Sequence, residues 1–440
     1  MSSKLAGVLA VASLWIGISA GADTNFLAGA DFSHLKYFES LGAQYRDGGQ
    51  VQDALQIIKN HGLNCVRLRL FTSSQAQANA NPYNYINNTN YTVPLARRVK
   101  TNGLLFCLDF HYSDTWADPG HQRTPDAWTN LDFPTLVQTM RTYNSNTIAT
   151  FKAAGAMPDY VQIGNEITGG MLWPNGKLSG AWGSNNASWI ALGQLMKAAV
   201  QGIQDASAAS GATMPKIIIH IDKGGSWSST QAYFDNVGYQ GVPYDIIGES
   251  YYPFFHGDPT NLNICLSNAA VRYGKPIVVA ETAFPWNNSV TSWTNKLYGF
   301  PPTTNGQVSF IAAIAKMVQS ASNHLGVGVF YWGAEYQPGG GGSDYNNSSF
   351  WNYGGNVLPV ASAVGGLHAP LVMNASLASP ASLRLQWPFS GAASTLMTSD
   401  SLLPLAMWTP VANPVQITGT VFTVTLPINS NALFYRLQSN

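Results

Sequence analysis

Charge is what this 440-residue chain has least of. Only 10% of its residues are Asp, Glu, Lys or Arg, and 22 basic side chains are balanced by 22 acidic ones, against roughly 25% charged residues in an average globular protein. A chain with no net charge has no global field to steer it to nucleic acid or to an anionic membrane, and a neutral partner fits better. Cysteine is scarce as well: Cys65, Cys107 and Cys265 are too few for a disulfide framework, and the first two lie inside apolar runs, where they read as small buried hydrophobes. A long apolar stretch occurs only at the start. Lys4, the run Leu5–Ile18 and the small residues Ser19-Ala20-Gly21-Ala22 read as a secretory signal peptide over residues 1–22, too short to span a bilayer comfortably, which takes about 20 apolar residues. The mature protein is therefore expected to be secreted, with no membrane span. What the chain does have is apolar and aromatic bulk, 45% and 12%, enough for one sizeable core and a second, smaller one. With so few charges, Asn, Ser, Thr, Gly and aromatic side chains must make much of the surface, which suits a neutral, hydroxyl-rich ligand.

Eight short β-branched or apolar runs recur through the first 335 residues, beginning at Phe26, Cys65, Leu104, Tyr160, Lys216, Asp245, Ile277 and Val327. Between most of them lie stretches with helical apolar spacing, such as Val51–Lys59 and Val308–Val318. Strand followed by helix, eight times over, predicts an α/β fold of the (β/α)8 barrel type over residues 23–366. From residue 367 the pattern changes to alternating apolar and polar runs, Ser382–Trp387, Gln416–Leu426 and Ala432–Leu437, which predicts a small all-β module over residues 367–440, joined through a linker at Leu367–Pro370.

Polar residues gather at the carboxyl ends of the predicted strands: Arg67 and Arg69, Asp109 and His111, Asn165 and Glu166, His220 and Asp222, Glu249 and Tyr252, Glu281, and Trp332. In such barrels the active site is built at that end. Glu166 follows the fourth strand and Glu281 ends the seventh, so the two face one another across the mouth. Paired carboxylates of this kind are what glycoside hydrolysis needs, one protonated to serve the leaving oxygen and one ionised.

The longer runs Asp109–Pro119, Gly164–Ile167, Leu172–Gly176, Ser250–Phe254 and Glu281-Thr282 resemble the endo-β-1,4-galactanases of glycoside hydrolase family 53. The resemblance runs in order from about Ala28 to about Pro359 and leaves the C-terminal module uncovered. It implies a retaining (β/α)8 glycosidase with Glu166 as general acid/base and Glu281 as nucleophile, acting on galactan or arabinogalactan of pectin side chains. It further implies that Arg67 holds the nucleophile ionised, with Arg69 as a pairing or binding residue; that Asn165 bonds the sugar 2-hydroxyl; and that Tyr252 orients Glu281, although Tyr251 beside it is an equally good chemical candidate. His111 and His220 are expected to bond sugar hydroxyls or tune the carboxylates. Asp114, Trp116, Asp222 and Trp332 complete the expected substrate-binding set, with Trp332 as the floor under the scissile bond. No metal and no cofactor is implied, since two glutamates suffice for the chemistry. The stretch Asn287–Gly306 holds no acidic residue for the structural calcium found in part of the family. The expected partner is a polysaccharide, and the expected state a monomer. Two loops depart from the family pattern, Gly224–Trp227 and Tyr331–Tyr336. They leave open a related endo-glycanase of different linkage, or a barrel that binds carbohydrate without cutting it.

Overall fold

The computed structural model describes residues 26–179, 186–289, 296–337, 347–403, 405–428 and 433–439; the expected signal peptide lies outside them. Eight parallel strands, β1 (Leu27–Asp31), β2 (Cys65–Leu70), β3 (Leu105–Phe110), β4 (Tyr160–Ile163), β5 (Lys216–Ile221), β6 (Ile246–Ser250), β7 (Ile277–Thr282) and β8 (Gly326–Tyr331), close into a barrel in sequence order. After them come α1 (Ala54–Asn60), α2 (Thr89–Thr101), α3 (Phe133–Ala153), α4 (Ala187–Ala209), α5 (Trp227–Tyr239), α6 (Pro259–Tyr273), α7 (Thr304–Gln319) and α8 (Pro359–Gly365). Each strand run named from the sequence is a barrel strand. The first helix starts later than expected because Gln50–Val51 pairs with Arg46–Asp47, and Asp53 caps the helix by accepting from Leu55 and Gln56 N–H.

The strands read as near-continuous apolar runs because both faces are buried. Val66, Leu68 and Leu70, Phe106, Leu108 and Phe110, and Ile217, Ile219 and Ile221 pack outward under the helices. The opposite parity, Leu27, Cys65, Cys107, Ile218, Ile246, Val278, Ala280 and Phe330, fills the barrel's lower interior. Phe330 occupies the centre so fully that a Cβ on Gly29 would fall 2.4 Å from its ring. All three cysteines are free and buried, as the apolar context of Cys65 and Cys107 predicts. Moving up the same inward parity, the residues turn polar: Asp31, Arg67 and Arg69, Asp109 and His111, Gln162, His220 and Ser250. A fatty base and a polar mouth follow from one period-2 alternation.

Residues 374–439 form two small antiparallel sheets: β9 (Asn374–Ser379), β10 (Ser382–Pro388), β14 (Val421–Pro427) and β13 (Gln416–Thr418) in one, and β12 (Thr409–Pro410), β11 (Ser394–Ser399) and β15 (Phe434–Ser439) in the other. The predicted single run over Gln416–Leu426 is a hairpin turning at Gly419. Leu367, the first residue of the expected linker, is buried with the barrel core, and the Gly366 carbonyl before it accepts from the Ser390 N–H of the module at 3.0 Å. Gln319 on α7 bonds the Phe389 carbonyl and the Ala392 N–H, both at 3.0 Å, fixing the module to the barrel's flank. Among the described residues no helix is long and apolar enough to cross a membrane.

Candidate active site

Glu281 reaches the mouth through an irregularity. Val278 and Ala280 point into the barrel, so strict alternation would send Glu281 outward toward the helices. Between Glu249 and Ser250 the β6–β7 register slips, Ser250 pairing with Glu281, and this bulge-like step re-aims the carboxylate inward. There Arg67 Nη1 lies 2.9 Å from Glu281 Oε1 and the Tyr252 hydroxyl donates to Oε2 at 3.0 Å. Of the two tyrosines that the sequence leaves equivalent, Tyr252 faces the site, whereas the Tyr251 hydroxyl donates to the Gly257 carbonyl.

Arg67 is the hub of a buried ion network. Its guanidinium bonds Asp31 at 3.2 Å, Asp109 at 2.8 Å and the Asn165 Oδ1 at 2.8 Å, besides Glu281. With Gln162, which takes the Nε–H at 3.1 Å, a planar fork with five donors serves five partners at once, which an ammonium group would not. Arg69, two residues on, takes a different place. It lies 3.5 Å from Asp31 and stacks over the Trp116 ring at 4.1 Å, with Trp332 at 5.7 Å.

Glu166 has a left-handed backbone, φ 47° and ψ 48°, uncommon for a side chain with a Cβ and held there by its surroundings. Its Oε1 accepts from the Ser250 hydroxyl at 2.6 Å. The two glutamates differ in their neighbours. Burial, then the Glu281 charge, pushes the Glu166 carboxyl well above the usual carboxylate range, and Ser250 alone works against it. Burial also raises Glu281, but there the Arg67 charge opposes it. Burial would raise Asp109 too, yet Arg67 and His111 hold it below its ordinary value.

The histidines do not present free nitrogens to a ligand. His111 bonds Asp109 through Nε2 at 3.1 Å and accepts from Ala117 N–H at Nδ1, 2.9 Å. His220, fully buried, touches Gln162 and Ser250. Both ring nitrogens of each thus have partners within the polar network, and burial keeps each below its ordinary value. Asn165 is braced from both ends: its Oδ1 accepts from Arg67, and its amide donates to Ala117 O at 2.8 Å. Asp114 lies off the cluster, where it ties loops together by accepting from Thr72, Gln77 and the Asp126 N–H. Asp222 pairs with Lys223 at 2.9 Å and faces Glu166. Trp116 and Trp332, both half-buried, meet at 6.3 Å, and Trp116 donates to Asn84.

Asp31, Gln162, Ser250 and Glu335 belong to this cluster without having been singled out from sequence. The first three sit on the inward parity of their strands, a signal that alternation does carry. Glu335 does not: it is fully buried, accepts from His34 N–H at 2.7 Å, and burial, with the nearby Asp31 charge, pushes its carboxyl up to about 8. Glu249, named among the strand-end residues, points the other way, toward Thr230 of α5 at 2.8 Å, and burial raises it to about 8.

The profile described as Glycosyl hydrolase family 53 matches residues 27–364. An arabinogalactan endo-beta-1,4-galactanase of Humicola insolens is 36% identical over 318 residues, 69% of this chain and 88% of that protein. A probable arabinogalactan endo-beta-1,4-galactanase A of Neosartorya fischeri is 37% identical over 314 residues, 69% of this chain and 82% of that protein. Among solved structures, the GH53 catalytic domain of Ignisphaera aggregans superposes with a TM-score of 0.71 at 31% identity, covering 78% of this chain and 96% of its own.

Proposed function

Because the chain belongs to glycosyl hydrolase family 53 and is a glycoside hydrolase, we propose that it is a secreted, retaining endo-β-1,4-galactanase that cuts galactan or arabinogalactan chains such as those of pectin. The observation that carries this reading is the unequal setting of the two glutamates. Glu281 has a guanidinium at 2.9 Å and a phenol at 3.0 Å, whereas burial and the Glu281 charge favour the protonated form of Glu166. That is the division of labour a double displacement needs.

In the first half, a Glu281 oxygen attacks the anomeric carbon as the glycosidic bond breaks, and the Glu166 proton goes to the leaving oxygen. In the second, Glu166 takes a proton from water, whose oxygen displaces Glu281. Arg67 and Tyr252 keep Glu281 ionised and aimed. Asn165, braced by Arg67 and Ala117, is placed to meet the sugar 2-hydroxyl. Trp332 and Trp116 offer flat faces on which a pyranose can stack. His111, His220, Asp114 and Asp222 support these groups. Residues 1–22 serve as the export signal, residues 23–366 form the catalytic unit, residues 367–440 an accessory module, and the enzyme works as a monomer without cofactor or metal.

The test is release of reducing ends from β-1,4-galactan, with mannan and xylan alongside, by wild type and Glu281→Gln. Cleavage of galactan alone, lost in the variant with its fold intact, is the expected result. Galactan left uncut by a folded wild type would overturn the substrate, and near wild-type turnover by the variant would overturn the nucleophile.

A further inference from the structure

A chain of hydrogen bonds ends on Glu166 and fixes which of its oxygens is occupied. Gln162 is oriented by partners of opposite sense: its Oε1 accepts from Arg67 Nε at 3.1 Å and its Nε2 donates to Asp109 Oδ1 at 2.6 Å. Nε2 also lies 3.0 Å from His220 Nδ1, which the Glu166 backbone N–H approaches at 3.4 Å. Amide nitrogens only donate, so Nδ1 accepts and the imidazole proton belongs to Nε2. Asn165 Oδ1, 3.1 Å from Nδ1, accepts from Arg67, while Nδ1 itself is taken by the Glu166 backbone N–H. His220 Nε2–H then donates to Ser250 Oγ at 2.8 Å, which leaves the serine hydrogen for Glu166 Oε1 at 2.6 Å.

From this geometry we propose that Ser250, oriented by His220, is a positioning residue for Glu166: it keeps Oε1 occupied as an acceptor, so that the catalytic proton is carried on Oε2. The inference rests on Glu166 being the acid/base. In the first half-reaction the Oε2–H bond breaks, its proton goes to the glycosidic oxygen, and the bonding pair stays on Oε2. In the second, a water O–H bond breaks and its proton returns to Oε2. Ser250 and His220 keep their own protons throughout. Stationary donors of this kind require a neutral imidazole, and burial together with the Arg67 charge keeps His220 well below its ordinary value.

The charged and titratable groups facing Glu166 are Glu281 from β7, Asp222 beyond β5 and Asp118 from the loop after β3. Those facing His220 are Arg67, Asp109, His111 and His256. Against these carboxylates the Ser250 donor favours the ionised form of Glu166, so removing it raises the carboxyl further.

The test is Ser250→Ala and Ser250→Thr on β-1,4-galactan, with kcat, KM and the pH profile of kcat/KM. Ser250→Ala is expected to lower kcat about tenfold with little change in KM, as loss of one hydrogen bond to a charged group does, and to move the alkaline limb to higher pH; Ser250→Thr, which keeps the hydroxyl, restores both. Unchanged kcat, or a loss of kcat with the alkaline limb in place, overturns the proposal. Should Ser250→Ala not fold, Ser250→Cys, a weak donor, gives the same two readouts. Glu166→Ala is measured in parallel: if it keeps near wild-type turnover, the acid/base reading itself has failed, and if it is inactive while Ser250→Ala is unaltered, only the positioning role has.

Discussion

Glu166 and Glu281 carry the same functional group, and only their neighbours distinguish the proposed acid from the proposed nucleophile. Because both carboxyls are raised by burial, activity should fall on the acid side as Glu281 takes up a proton and on the alkaline side as Glu166 loses one, with apparent values that belong to the pair. Arg67→Lys replaces a fork with a point charge; it is expected to move the acid limb to higher pH and to cost at least about tenfold in kcat/KM at pH 5, which a pH–rate profile reads directly. Glu335 has a separate consequence for stability. Its carboxyl titrates at about 8 in the folded chain against 4.5 ordinarily, so between those values the unfolded chain binds fewer protons and stability falls as pH rises, levelling off above about 8. Glu335→Gln keeps the oxygen that accepts from His34 and removes the titration. Its Tm relative to wild type should therefore climb from pH 5 to pH 8; a constant difference across that range would contradict the assignment.

Among elements, the slipped β6–β7 register matters most, because it turns the residue that alternation sends outward into the one Arg67 grips. No propensity of Glu281 or its neighbours announces this; it lies in how β7 pairs with the strands on either side. Elsewhere the elements were legible. The runs at Cys65, Leu104 and Lys216 are buried on both faces, so their apolar continuity marks them as strands, and the helical spacing of Val308–Val318 falls within α7. The strands β9 and β12 escaped notice because they are mostly exposed and carry little apolar alternation, and β11 because Leu396 and Met397 are its only apolar residues. The packing of α3 on α4 also yields a prediction. Gly202 lets the helices approach until a Cβ there would fall 2.1 Å from the Arg141 carbonyl, and backbone gives way less readily than a side chain. Gly202→Ala is expected to destabilise the fold by about 1–3 kcal/mol, seen as a lower denaturation midpoint with kcat unchanged, since neither helix supplies a residue to the site.

At the scale of the whole molecule, the all-β module is anchored to the barrel by Phe389 in the core and by Gln319 across the seam. Phe389→Ala should cost about 3 kcal/mol in thermal or denaturant unfolding while leaving hydrolysis of soluble galactan intact; loss of activity in step with stability would show that the module does more than brace the barrel's flank. The sequence by itself determined the barrel, because period-2 and helical spacings are local and repeat eight times, and it located the site, because polar residues on inward-facing positions must come together where the strands end. The carboxylate pair, Arg67 and Tyr252 were already candidates as strand-end residues, although alternation alone turns Glu281 outward. What only the tertiary structure decided was direction and partnership: that Glu281 turns inward to meet Arg67, that Tyr252 rather than Tyr251 bonds it, and that Ser250 meets Glu166 across 84 residues of chain. Those choices turn on a register slip and on the closure of the ring, and neither leaves a periodic mark in the sequence.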